Sequence, residues 1–284
     1  MDIKLRLGPA GMPLDCKGET LAEGIEYVAS EGLNALEVEF VRGVRGKKEE
    51  WIKARKTAEK NDVLLSCHAP YWINCCSPIR EKQQIAIRNI MQTAEAAELL
   101  GAYIIVFHPG YYQKQTEEIA LKNCISVLKE AIKKMKERKL HCILGAETTG
   151  KPSAFGSLQD NITLAKLLKE VKPVIDFAHL HARTNGGIKT IEDYERIFFE
   201  IRNHLGQECL KQLHCHFTEV HFTEKGERWH IPLGEKNSPD MRLLAKAIKE
   251  NNYKFTLISE SPLLDKDALK MQKMIKKSLV FTTP

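Results

Sequence analysis

No run in this chain of 284 residues comes near the ~18 consecutive apolar residues that would cross a bilayer. The start, Met1-Asp2-Ile3-Lys4-Leu5-Arg6, alternates like a strand and lacks a charged segment leading into an apolar one, so no secretory leader is expected. The expected compartment is the cytoplasm. No C-x-x-C pair occurs among the eight cysteines, Cys75 and Cys76 are adjacent, and Cys67, Cys142 and Cys215 fall in strand-like runs. Buried free thiols in a reducing compartment are therefore expected, rather than disulfides or a cysteine-held metal. There is also no Gly/Pro-rich linker, low-complexity tract or short-period repeat. One domain over residues 1–284 is expected.

What is present is ordinary globular material, 43% apolar and 28% charged, enough to bury a substantial core. The net charge of +6, from 43 basic and 37 acidic side chains, is compatible with a polyanionic partner without indicating one. Most lysines fall on helical faces, as in Lys129-Glu130-Ala131-Ile132-Lys133-Lys134, where solvent accounts for them.

Strand and helix patterns alternate from end to end. The strand-like runs are Ile3–Gly8, Ala35–Phe40, Val63–Cys67, Ala102–Phe107, Cys142–Ala146, Pro173–Ile175, Lys211–Cys215 and Phe255–Ser259. Between them lie helical stretches, the clearest at Glu117–Glu137, where Leu121, Cys124, Leu128, Ala131 and Met135 form an apolar stripe. Ser238 and Pro239 are expected to open the helix that carries Leu243–Glu250. Eight β/α units without a break predict a parallel sheet, because each return crossing needs a helix. At this length the prediction is a closed (β/α)8 TIM barrel with its site at the carboxyl ends of the strands.

Six successive strand-like runs end in a histidine or a carboxylate: His68, His108, Glu147, Asp176, the pair His214 and His216, and Glu260. A single such residue is usually structural. Six at the same end point to one polynuclear metal centre, and the mixture of imidazole and carboxylate favours zinc, with manganese or iron also suited. His179 follows Asp176 by three residues, and the long loop Phe222–Glu235 adds Glu224, Glu227 and His230. That is more than one ion needs, and suggests two or three sharing a bridging carboxylate. Gly145-Ala146-Glu147-Thr148-Thr149-Gly150-Lys151 has phosphate-loop spacing, but Pro152 stands where Ser or Thr should hold magnesium. Glu147 is better read as a ligand.

The wording of these segments is specific. Ser66-Cys67-His68-Ala69-Pro70-Tyr71-Trp72-Ile73-Asn74, Phe107-His108-Pro109-Gly110 and Glu147-Thr148-Thr149-Gly150 resemble the endonuclease IV family of apurinic/apyrimidinic endonucleases. So do Asp176-Phe177-Ala178-His179, His230-Ile231-Pro232-Leu233-Gly234-Glu235 and Glu260-Ser261-Pro262, in order, from about Phe40 to Pro262. The resemblance implies a xylose isomerase-like barrel with three zinc ions that cuts double-stranded DNA 5′ to an abasic sugar. It implies that His68 and His108 hold one ion, which Glu147 bridges to a second held with Asp176, His216 and Glu260. A third falls to His179, His230 and an acid of the same loop. Glu147 and Glu260 are the implied catalytic carboxylates, Glu260 orienting the attacking hydroxide. Tyr71 and Trp72 match the loop that wedges into DNA, and Arg45 matches an arginine that penetrates the base stack. Arg42, Lys47, Lys48, Lys225 and Arg228 are available for backbone contacts of the salt-sensitive kind.

One segment departs from the family. Where it carries Asp-Arg-His, this chain reads Glu227-Arg228-Trp229-His230, with one inserted residue and a longer carboxylate. Glu227 is preferred over Glu224 as the loop ligand, and His216 over His214. His181, His204 and His221 are read as structural or solvent-facing, with His181 and His221 as candidate supports for the ligands. A monomer is expected. The rivals are a metal-dependent sugar isomerase or epimerase on the same barrel and a metal-dependent DNA-binding protein without catalysis.

Overall fold

Apolar strands that feed helices of matching length leave the chain little choice but to wind. The computed structural model describes residues 4–234 and 239–277. Its main sheet has eight parallel strands: β1 (Arg6–Pro9), β2 (Ala35–Glu39), β3 (Leu64–His68), β4 (Ile104–Phe107), β5 (Ile143–Glu147), β6 (Val171–Asp176), β7 (His214–Phe217) and β8 (Thr256–Ser259). Spatial order follows chain order, and β1 pairs with β8, so the sheet curls into a (β/α)8 barrel. The remaining seam, between β1 and β2, is joined by a bridge from Ala10 to Glu37 and by the Gly11 amide donating to the Glu37 carbonyl at 2.9 Å.

Strand alternation decides what each side chain faces. On β4, Ile105 and Phe107 join the large core between barrel and helices, whereas Ile104 and Val106 cluster with Val174. The second set fills the lumen with branched side chains, as a packed barrel requires. On β7, Cys215 and Phe217 face the helices, and the two histidines that alternate with them face inward. Several helix starts are set by side-chain caps. Thr116 accepts from the Ile119 amide at the head of helix Glu117–Glu137, and Ser157 closes a capping box with Asp160 before Leu158–Leu167. Each such cap contributes about 1 kcal/mol. Of the eight cysteines, all free thiols, seven are buried.

Helix Glu117–Glu137 has the expected bounds, and most other elements lie within a few residues of expectation. Several expectations need amendment or fall on residues outside the description. Ile3, which opened the expected first strand, and Ser238, the expected cap, lie outside the described residues. Helix Met241–Glu250 is capped instead by Asp240, whose carboxylate accepts from the Arg242 amide, and Pro239 precedes the first turn. The seventh strand begins at His214 rather than Lys211, because Gln207–Lys211 forms a short helix after Gly206. His216 is consequently inside the strand and not beyond it. The segment after Asp176 is a helix, Phe177–Arg183, and the long loop after β7 is a hairpin of Glu219–Thr223 and Gly226–Ile231. No helix among the described residues is long and apolar enough to cross a membrane.

Candidate metal centre

The carboxyl ends of β3 to β8 meet around Glu147, the last residue of β5, which is fully buried. His68 closes β3 and approaches Glu147 Oε2 through Nε2 at 3.2 Å. His108, just past β4, approaches the same oxygen at 2.9 Å. The other oxygen, Oε1, lies 3.2 Å from His216 Nδ1 and 3.2 Å from His179 Nδ1. Glu260, directly after β8, brings Oε1 to 2.9 Å from His216 Nδ1. Asp176 ends β6 and uses Oδ1 to accept from the His179 amide at 2.6 Å, which starts the following helix. Its Oδ2 is buried without a hydrogen-bond partner.

Potential ligand atoms lie within 4.8 Å of one another in four groups: His68, His108 and Glu147; Glu147, Asp176, His216 and Glu260; Asp176, His179, His230 and Glu260; and Glu37, His214 and His216. A tetrahedral shell with bonds near 2.1 Å separates its ligands by about 3.4 Å, so this spacing suits a divalent ion. The imidazoles are also pre-oriented. His68 Nδ1–H donates to the Ala69 carbonyl at 2.8 Å, and His179 Nδ1–H to the Thr148 carbonyl at 2.8 Å. His230 Nδ1 is 3.2 Å from the Glu260 carbonyl. In each case Nε2 is left to face the site, the arrangement that metal-binding histidines adopt. The unpartnered Asp176 oxygen fits the same purpose. The donor set fits metal ions, with imidazole and carboxylate mixed as zinc prefers.

The electrostatics agree. Among the described residues, none of Glu37, Glu147, Asp176, Glu227 and Glu260 pairs with a lysine or arginine; their cationic partners are imidazoles. Burial alone would raise Glu147, yet the His108 and His216 charges hold it well below the usual range. Burial outweighs its histidine neighbours at Asp176 and lifts it to about 6. Burial likewise works against a charged His68, but the Glu147 hydrogen bond and the Glu39 charge raise it to about 10. His179 and His216 are raised well above normal by surrounding carboxylates despite their burial. Protons on imidazoles thus supply the countercharge that divalent ions would otherwise provide.

The hairpin delivers the rest. Glu227 Oε2 lies 3.3 Å from His179 Nε2, and its Oε1 lies 3.7 Å from His230 Nε2. His230 Nε2 is 3.3 Å from His179 Nε2. Glu224, in contrast, is exposed near the hairpin turn. Gly150 explains how Glu227 reaches inward: a Cβ there would stand 2.5 Å from Glu227 Cβ and 2.6 Å from its Oε2. Gly226, at φ +91°, lets the hairpin press against the Gly150 carbonyl. The glycine of Glu147-Thr148-Thr149-Gly150 is therefore a floor for the hairpin and not part of a phosphate loop.

A cavity of about 530 Å³ opens above these groups, lined among others by His68, His108, His179, Glu227, His230 and Glu260. Tyr71 lines it too, stacked on His108 at 5.6 Å and 15°. Trp72 beside it is 52% exposed and lies against Gly43, on the same loop as the exposed Arg45. Trp229, on the hairpin, is 53% exposed and stacks flat on His221 at 4.3 Å. His181 sits elsewhere, accepting from the Ile188 amide, and burial pushes it down to about 4. His204 faces Glu200 on the surface.

Three residues escaped the sequence reading or were set aside in it. Glu37 and Glu39 alternate on β2, and His214, passed over for His216, lies deeper in the lumen against Glu37. Glu39 Oε1 is buried without a partner, and burial pushes its carboxyl up to about 8. The available signal was the alternation itself. A strand of a parallel barrel is buried on both faces, so two acids on alternate positions must face the lumen.

Comparison with known proteins places this geometry. The family model for the xylose isomerase-like TIM barrel matches residues 25–278. An uncharacterized protein of Methanocaldococcus jannaschii is 35% identical over 96% of this chain and 97% of its own length. A probable endonuclease 4 of Mycoplasma genitalium is 32% identical over 61% of this chain, a match that spans 58% of that protein. Among solved structures, endonuclease IV from Thermus thermophilus superposes with a TM-score of 0.72 at 16% identity, covering 95% of this chain and 98% of that one. A D-tagatose 3-epimerase-like protein superposes with a TM-score of 0.67 at 19% identity, covering 92% and 94%. Both structural likenesses concern the fold. The chain belongs to the xylose isomerase-like TIM barrel family, with probable endonucleases 4 among its relatives.

Proposed function

We propose that this protein is an apurinic/apyrimidinic endonuclease that hydrolyses the phosphodiester 5′ to an abasic site in double-stranded DNA at a trinuclear zinc centre, manganese or iron being the alternatives. The observation that carries the reading is Glu147, whose two oxygens face imidazoles from β3, β4, β7 and the helix after β6. A carboxylate shared in this way suits adjacent ions better than a single one. Epimerisation of a small sugar needs one ion and an acid–base pair, not five imidazoles around one mouth. The relatives named probable endonuclease 4 support the same reading.

His68 and His108 would hold the first ion with Glu147; Asp176, His216 and Glu260 would hold the second with it; His179, His230 and Glu227 would hold the third. Bound ions would lower the pKa of water and neutralise charge on the attacking and leaving oxygens. Glu260, 12% exposed at the rim of the cluster, orients the attacking water. Burial and the His216 charge have opposed effects on its carboxyl, and the balance holds it at about 2, ionised and able to accept a hydrogen bond. Tyr71 covers the His108 ring and narrows access from one side. Trp72 and Arg45 fill the gap left by an everted abasic nucleotide, and the exposed Trp229 adds a second flat surface on the opposite rim. Arg42, Lys47, Lys48, Lys225 and Arg228 contact phosphates. All the proposed ligands come from one chain, so a monomer suffices.

The test is incubation of the zinc-loaded protein with matched abasic and intact duplexes. A single nick 5′ to the abasic site is expected, lost on chelation and in His108→Ala. Binding without nicking would leave a DNA-binding protein, and turnover of ketoses without nicking would leave an epimerase.

A further inference from the structure

Four histidines of the centre are held through their second ring nitrogen, and one of them differs from the rest. His68 and His179 donate to the Ala69 and Thr148 carbonyls, and His230 faces the Glu260 carbonyl. Those three lie at strand ends or beyond, where carbonyls are not committed to the sheet. His216 lies inside β7, whose carbonyls face neighbouring strands. Its Nδ1 points at Glu147 and Glu260, so Nε2 must find its partner in the lumen. That partner is Glu37, whose Oε1 lies 2.9 Å from His216 Nε2.

Glu37 is itself anchored from two other strands. Its Oε2 accepts from Ser66 Oγ of β3 at 2.7 Å and faces His214 Nε2 of β7 at 3.0 Å. Tyr103, just before β4, sets the direction of this chain by placing its hydroxyl 2.6 Å from His214 Nδ1. With the tyrosine O–H donating to Nδ1, the His214 proton sits on Nε2 and points at Glu37. Ser66 Oγ and both Nε2 atoms then face one carboxylate, the two Nε2 atoms lying 3.2 Å apart, and all the participants except the part-exposed Tyr103 are buried.

We infer that Glu37, braced by Ser66 and the Tyr103–His214 pair, is a positioning residue that fixes His216 as the Nε2–H tautomer and so presents Nδ1 to the central metal ion. It does for His216 what main-chain carbonyls do for the other three imidazoles, and a carboxylate partner also makes the imidazole a stronger ligand. The inference rests on the metal-centre reading but not on the DNA substrate. A lumen acid and histidine that would otherwise read as a further ion site are thereby a support. Glu37, His214 and His216 offer three ligand atoms, yet His214 Nε2 already faces Glu37 Oε2 at 3.0 Å and His216 Nε2 faces Glu37 Oε1 at 2.9 Å.

The test is chelator competition with zinc, with metal counted per chain, on the full-length protein and on Glu37→Gln and Tyr103→Phe. Glu37→Gln is expected to weaken one zinc ion by about 10- to 100-fold, with the number bound at saturation unchanged. Tyr103→Phe, which removes only the hydroxyl behind His214, is expected to give a smaller loss for the same ion, and it decides the matter should Glu37→Gln fail to fold. In zinc-loaded, 15N-histidine-labelled protein, the resonance lost in His216→Asn is expected to report Nε2–H with Nδ1 bound to metal. Loss of one ion at saturation with the others unchanged would overturn the inference in favour of a lumen ion site. Unchanged affinity in both variants, or an Nδ1–H tautomer, would overturn it outright. A protein that takes up zinc with these affinities but nicks no abasic DNA would refute the proposed function and leave this inference standing. Absence of zinc uptake by the unaltered protein would remove both.

Discussion

The inner wall of the centre and the hairpin at its rim solve the same problem by different means. His68, Glu147, Asp176 and His216 are carried on strands whose registers are fixed by main-chain pairing: Glu39 stands opposite His68, and Asp176 opposite His216. Those side chains are buried and their directions follow from strand alternation. Glu227 and His230 are instead carried on a two-stranded ribbon outside the barrel, are 23% and 20% exposed, and depend on Gly150 for room. The wall is rigid because the sheet is rigid. The rim is more exposed, and it is where this chain departs from the family's Asp-Arg-His wording.

The largest expected effect comes from breaking the wall. Glu147→Gln is predicted to lower bound zinc by about two ions per chain and reduce nicking to background, because both flanking groups share that carboxylate. Retention of full zinc content would show that the four imidazoles are held together by something other than a shared ligand. At the rim the predicted loss is smaller. Glu227→Ala should cost about one ion and leave the wall loaded. Gly150→Ala should reproduce it without touching a ligand, since the new methyl occupies the space of the Glu227 side chain. If Glu224→Ala lowers zinc and Glu227→Ala does not, the hairpin register proposed for the third ion is wrong.

Acidity separates the two regions again. In the metal-free protein His68 has its pKa raised from 6.5 to about 10, so the stability it contributes is complete below its unfolded value and disappears as pH rises through 10. Zinc displaces those protons, so its affinity should rise with pH between 6 and 9, with proton release on binding measurable in weakly buffered titrations. The rim histidine His230 is 20% exposed, with carboxylates of Glu227 and Glu260 each 3.7 Å away, whereas His68 is buried. Loss of the rim group alone should reduce proton release by less than loss of the wall; equal reductions would erase the contrast. The smallest predicted effect lies outside both. Trp72→Ala should weaken binding to abasic duplex by about tenfold, the scale of one stacking contact, with a lesser effect on intact duplex. Equal losses on the two duplexes would make Trp72 a general surface contact.

How much of this could be read beforehand follows the same division. Strand ends are marked in sequence by the point at which an apolar run stops, so His68, His108, Glu147, Asp176 and Glu260 were legible as a set. The barrel followed from eight alternations. Helix Phe177–Arg183 was not legible because its cap is Asp176, a residue already read as a ligand. The first strand of the hairpin was marked by the alternation of Val220 and Phe222 but was read as part of a loop, because the charged turn and exposed second strand around it carry no core pattern. Glu37 escaped and His214 was set aside for a subtler reason. Each stands two residues before another inward-facing group of its strand, Glu39 or His216, and looking at strand ends favours the outer position.

Asp176 joins the two halves of the problem in a single side chain. One of its oxygens holds the first turn of helix Phe177–Arg183 through the His179 amide, and the other is turned toward the cluster. Occupancy of the pocket is therefore expected to be coupled to order in that turn. The exchange rate of the His179 amide with solvent is thus a gauge of loading, readable without substrate and without any label on the metal.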